Sequence, residues 1–156
     1  MSTYPRIENP VQHLPVVGEI AAAVNRVNEE GVLPKELVNI VLLRVGQILG
    51  SSYFTARQLM DAADTPERIG AVATWRTSPY FTGAERAALA LAEAVHTPNP
   101  TGERVTDELV EQAREHLSDK EIVVLIGVLG QIGFFTPLAL IGNPKVGVSF
   151  AEQWQK

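Results

Sequence analysis

The chain has 156 residues, of which 46% are hydrophobic and 20% charged, with a formal net charge of −5 and no cysteine. That length and composition suit one globular domain with a sizeable core. The acidic balance excludes an electrostatic nucleic-acid binder, which needs a basic face. The missing thiols exclude disulfides, thiol catalysis and cysteine-based metal sites.

In chain order, Pro5, Pro10 and Pro15 make residues 1–15 read as an extended arm that packs along the surface or reaches a neighbouring subunit. No basic start followed by an apolar run is present, so no signal peptide is expected and a cytoplasmic location is the default. Val17, Ile20, Ala21, Val24 and Val27 recur at helical spacing and predict a helix over 16–30, stopped by Gly31. Pro34 opens a second helix that runs through Leu37, Ile40, Val41 and Leu43 to Gly50. Ser51 caps a third, to about residue 63. Thr65-Pro66 starts a fourth, ending near Trp75 because Pro79 disfavours helix at Ser78.

Thr82 and Glu85 form a capping box ahead of an Ala/Leu-rich helix to His96. A Pro/Gly loop and a more polar helix over 106–117 follow. Ser118 and Glu121 form a second capping box before a long apolar helix over 122–141. That helix holds Gly127, Gly130 and Gly133, three apart, which suits close helix–helix contact, and Pro137, which predicts a kink or an end. With one such segment, interrupted by Gly and Pro, a core or interface helix fits better than a membrane span. In the tail, Phe150 and Trp154 fall four apart on one helical face and predict docking. The expectation is a single all-α domain over 1–156 with about six to eight helices.

Two stretches carry a further signal. Residues 44–60 read RVGQILGSSYFTARQLM, and residues 74–95 read TWRTSPYFTGAERAALALAEAV. Together they resemble the carboxymuconolactone decarboxylase / AhpD-like family, over roughly residues 30–130. The resemblance implies an AhpD-like helical domain. It also implies a homo-oligomer, with dimers, trimers and hexamers all open. Redox members of that family carry Arg-x-x-Gln-x-Asn-Gly-Cys-x-x-Cys-x-x-x-His, with a Glu about three turns before the first Cys.

Carried across residue by residue, every reactive position differs. The first Cys falls on Ser51, the second on Phe54, the His on Gln58 and the Glu on Asn39, while the Asn before the Gly falls on Leu49. Peroxide-reducing or disulfide chemistry is therefore not expected. Ser51 as a nucleophile would need a general base, which Gln58 and Asn39 cannot supply. It reads as a helix cap, with carboxylate or carbonyl binding at the nearby first-turn amides as the alternative. Glu36, one turn before Asn39, is the one carboxylate near the motif and a candidate acid or base, against a plain surface charge.

Tyr53, Phe54 and Met60 either line an apolar pocket or belong to core or interface. Arg57 either binds an acidic group or is solvated. Arg44 should pair with a buried carboxylate, and Trp75 and Phe81 should anchor packing. His13, His96 and His116 show no metal-ligand spacing, so neither a metal nor a cofactor is implied. Two functions stay open. One is a non-redox member, of lyase or isomerase type if an enzyme, that binds or transforms a small apolar molecule in a pocket of Ser51, Tyr53, Phe54, Arg57 and Gln58. There Asn39, Ser51 and Gln58 would orient or polarise a carbonyl. The other is a non-catalytic pseudoenzyme acting as scaffold or partner subunit.

Overall fold

The structure is a computed structural model that describes residues 5–61 and 64–155, with the backbone alone described for 58–61. Its helices are α1 (Pro10–His13), α2 (Val16–Val24), α3 (Lys35–Leu49), α4 (Ser52–Asp61), α5 (Pro66–Ala71), α6 (Gly83–His96), α7 (Asp107–Arg114), α8 (Asp119–Gly142) and α9 (Phe150–Gln153), with a 3-10 segment at Val72–Thr77. Among the described residues there is no strand, so the fold is all-α, and helices of eight residues or more number six. These six fall within the expected range, and α1, α5 and α9 are short pieces of one or two turns.

The helix starts follow their caps. Thr82 and Ser118 each accept from the N3 amide, while Glu85 and Glu121 reach back to the cap amide. Thr65 caps α5 by accepting from the Arg68 amide.

Two sequence expectations need correction. Residues 1–15 are not extended throughout, because the Asn9 side chain accepts from the Val11 amide and starts α1. The arm then follows its own chain: the Arg6 amide donates to the Gly142 carbonyl at 2.8 Å, and Asn9 Nδ2 to the Trp154 carbonyl at 2.7 Å. The helix expected to reach residue 30 stops at Val24. Past it, the Asn28 amide brackets the Leu33 backbone at 3.0 and 3.2 Å, offering local turns a competing set of hydrogen bonds. Of the kink or end predicted at Pro137, the end is excluded: α8 continues to Gly142, close to the expected 141, where Asn143 in the left-handed region closes it.

The core is built around α3, which packs most extensively on α4 and α6. Its Leu37, Ile40, Val41, Leu43 and Val45 are all 2% exposed or less. Gly46 lets α4 approach: a Cβ there would lie 3.0 Å from Phe54 Cβ and 3.3 Å from the Thr55 amide nitrogen.

A polar network holds α3, the 3-10 segment and α6 together. Glu93 accepts from Arg44 Nε at 2.6 Å, from Trp75 Nε1 at 2.9 Å and from Arg76. Burial pushes the Glu93 carboxyl up, but these three donors outweigh it and hold the group below its ordinary value. Glu85 pairs with Arg68 at 2.7 Å while closing the α6 capping box. Arg86 donates to the carbonyls of Trp75, Arg76, Ser78 and Phe81. The family-like second block thus does structural work, and Arg44 has its buried carboxylate.

Candidate functional site

Gly50 ends α3 with φ of 65°, a conformation that costs glycine little. The chain reverses there, and Ser51 begins α4. Ser51 is buried, its Oγ accepting from the Phe54 amide at 3.3 Å. This is the capping geometry, and it spends an oxygen lone pair on the backbone.

The reversal lays α4 along α3 and projects Tyr53, Phe54 and Arg57 toward a cavity of about 540 Å³. That is a size typical of small-molecule sites. From α3 it receives Lys35, Val38, Asn39 and Leu42; from α8, Val128, Gln131, Ile132 and Phe135; from the tail, Ser149, Phe150 and Ala151. Residues 25–29, the turns after α2, form the rim with Asn25, Asn28 and Glu29.

Aromatic rings define one wall. Phe150 sits 4.7 Å from Tyr53 and stacks on Phe135 at 5.2 Å, and Tyr53 meets Phe54 edge-on at 5.7 Å, centroid to centroid. Such offset and edge contacts are favourable ring arrangements. Phe150 also lies 5.3 Å from Trp154, on the helical face their spacing predicts, and its contacts with Tyr53 and Phe135 dock the tail. Within the tail, Glu152 and Ser149 form the capping box that starts α9. The Ser149 amide, then its hydroxyl, holds that carboxyl below its ordinary value, and the nearby Arg57 charge adds to the effect.

Polar side chains make up nearly half of the wall, and several of them are engaged with one another or with the backbone. Gln131 donates to Asn25 at 3.0 Å, and Asn28 is spent on Leu33. Asn39 is different. It is 7% exposed, it lines the cavity, and among the described residues its Nδ2 has no hydrogen-bond partner. A buried donor left unmade costs free energy until something accepts from it.

The predicted site residues therefore separate. Asn39, Tyr53, Phe54 and Arg57 converge on the cavity. Ser51 is turned into the α3–α4 junction, and Glu36 is exposed on α3; neither is part of the cavity wall. The side chains of Gln58 and Met60 lie outside the described residues. Among the described residues the wall has no histidine, and its carboxylate is the exposed Glu29. No cluster of three metal-ligating side chains occurs among them either. His96 bonds the Ala92 carbonyl at 2.8 Å, and His116 packs on Gly83.

Sequence reasoning missed Lys35 and Gln131 as wall residues. It placed Phe150 in a docking tail but not in a site. Nothing local marks these side chains, since they meet Tyr53 and Asn39 only after α8 and the tail fold back.

Comparison with known proteins agrees with this architecture. The profile of the carboxymuconolactone decarboxylase family matches residues 17–94, starting earlier and stopping earlier than the resemblance read from the motifs. YdfG of Bacillus subtilis (strain 168), an uncharacterised protein, is 29% identical over 108 residues, which are 67% of this chain and 72% of YdfG. The crystal structure of ATU0492 from Agrobacterium tumefaciens, a protein of unknown function grouped with AhpD, superposes with a TM-score of 0.80 at 27% identity. It covers 93% of this chain and 99% of its own. A single-site variant of the debrominase Bmp8, in complex with 2,3,4-tribromopyrrole, gives a TM-score of 0.74 at 15% identity over 93% of this chain and 78% of its own, a likeness of fold alone. With half its length under the family profile and the whole fold shared with an AhpD-type structure, the chain belongs to the carboxymuconolactone decarboxylase family, as a member without cysteine.

Proposed function

We propose that this protein binds a small, largely apolar ring molecule carrying an oxygen acceptor, and does so without thiol chemistry. The observation that carries the reading is the Nδ2 of Asn39, unpartnered among the described residues, in the wall of a 540 Å³ cavity that Tyr53, Phe54, Phe135 and Phe150 also line. Apolar walls supply the affinity, and one placed donor fixes orientation. A ligand carbonyl or hydroxyl oxygen would accept from Asn39, while the rings of Tyr53, Phe135 and Phe150 would hold the planar part. Phe54, which replaces the second reactive position, stands in the wall and leaves the cavity open beside it.

The scaffold alternative gains less support, because a purely structural subunit has no use for a cavity with an unmade donor. Catalysis would be of the polarising kind, with Asn39 stabilising charge on a carbonyl oxygen.

The test is ligand-observed NMR with matched pairs of ring compounds, each pair a hydrocarbon and its ketone or lactone. Oxygen-bearing members should bind selectively to the wild type, and the Asn39→Leu variant should lose that selectivity while remaining folded. Equal binding of both members, or unchanged selectivity in the variant, would sink the proposal.

A further inference from the structure

The outer face of α8 carries a second, independent signal. Val123, Ile126, Gly130, Gly133, Pro137 and Leu140 are all exposed and follow one another at alternating steps of three and four. That is the seam spacing of paired helices. Val123 and Ile126 are each 63% exposed, Leu140 44% and its neighbour Ile141 64%. From 122 to 144 the sequence has no Asp, Glu, Lys or Arg.

The glycines on this face divide by role. A Cβ on Gly127 would meet Val27 at 3.2 Å, so that glycine serves the contact between α8 and the turns after α2 within the chain. A Cβ on Gly130 or Gly133 would meet nothing within 4 Å. Their smallness has no use inside the described chain.

We infer that α8 is the contact between two copies of this chain, paired antiparallel about a two-fold axis passing between Gln131 and Ile132. The stripe is a palindrome about that point. Val123 falls opposite Leu140, Ile126 opposite Pro137, and Gly130 opposite Gly133. Bulky side chains meet at both ends and the backbones approach at the centre, as a self-complementary contact requires.

Charge agrees with the orientation. The same axis brings the exposed Lys145 of each copy to the first turn of the other, where Asp119 and Glu121 stand, and it opposes the two helix dipoles head to tail. The groove of about 180 Å³ between Ile7, Pro137, Ile141 and Trp154 lies at the end that receives Ile126 from the other copy. The stripe alone offers about 27 Å by 10 Å, on the order of 300 Å² per copy. A standard interface takes about 800 Å² per partner. The groove walls, from the arm and the tail, must therefore share in the contact around the stripe.

The test uses sedimentation velocity and site-specific cross-linking of the full chain. Wild type should sediment as an even-numbered assembly of the 17.0 kDa chain. Ile126→Lys should raise the dissociation constant more than tenfold with helicity unchanged, because that side chain points to solvent in the monomer. Gly130→Leu, which meets nothing within its own chain, should do the same by blocking close approach. Since the chain has no cysteine, Val123→Cys and Leu140→Cys proteins should form a disulfide when mixed but not alone. A monomeric wild type, variants of unchanged size, or efficient cross-linking of Val123→Cys with itself would overturn the inference. So would wild-type binding to phosphatidylcholine vesicles that Ile126→Lys abolishes, which would make lipid the occupant.

Discussion

Replacing Glu93 by Gln removes a charge that three donors converge on. Breaking a buried ion pair by losing one partner costs about 3–5 kcal/mol. Here the cost should be lower. Arg76 is 62% exposed at its side chain and keeps its hydration, and Arg44, at 21%, keeps part. Gln can still accept from Trp75 Nε1. About 2–3 kcal/mol at pH 7 is the expected loss, or roughly 1–1.5 M in the urea midpoint at an m-value of about 2 kcal/mol/M.

The pH dependence follows in sign. The folded Glu93 carboxyl lies below its ordinary value of 4.5. Its contribution is therefore complete above the unfolded pKa and is lost as pH falls through the folded one. The gap between wild type and Glu93→Gln should be full at pH 7 and close in acid. Urea unfolding by far-UV circular dichroism, at one fixed protein concentration because assembly adds to stability, measures both. A gap under about 0.5 kcal/mol at neutrality, in the range of ordinary surface substitutions, would refute the network's role. A gap that persisted undiminished into strong acid would refute its electrostatic origin.

Other substitutions probe the remaining contacts. Phe54→Ala, at a ring 5% exposed, should cost about 3–5 kcal/mol in urea unfolding; a negligible change would mean the ring contributes surface to the cavity but little packing. Asn39→Leu should be stabilising by about 1 kcal/mol, since it removes an unmade buried donor, and a loss of stability would show that the amide is satisfied in solution. Gly46→Ala should destabilise by about 1–2 kcal/mol in a thermal melt, overpacking against α4 outweighing the better helix propensity. A gain in melting temperature would mean α4 yields freely.

What the sequence discloses is what is local. Capping boxes at Thr82 and Ser118, the proline entry at Pro66 and the glycine exit at Gly50 act within a turn of where they stand, and the helices begin and end accordingly. The end of α2 was not legible, because it depends on Asn28 reaching Leu33 rather than on the apolar period that continues to Val27. The site was half legible. Motif alignment led to Asn39, Tyr53, Phe54 and Arg57, which share the α3–α4 hairpin. It also led to Ser51 and Glu36, which lie on that hairpin but face elsewhere. Phe150 was beyond its reach, because its approach to Tyr53 is set by how the tail returns across the hairpin.

The ion-pair network and the cavity share no residue. Arg44, Arg68, Trp75, Glu85, Arg86 and Glu93 fix how helices cross, and none of them forms the cavity wall. Selection acting on the ligand can therefore rewrite the wall without disturbing the frame. The family profile ends at residue 94, whereas the wall segments from Val128 to Ala151 lie past it. Kinship detected through such a frame is inherited architecture; the chemistry of each member drifts separately, at Asn39, Ser51, Phe54 and Gln58 inside the profile as well as in the wall segments past it.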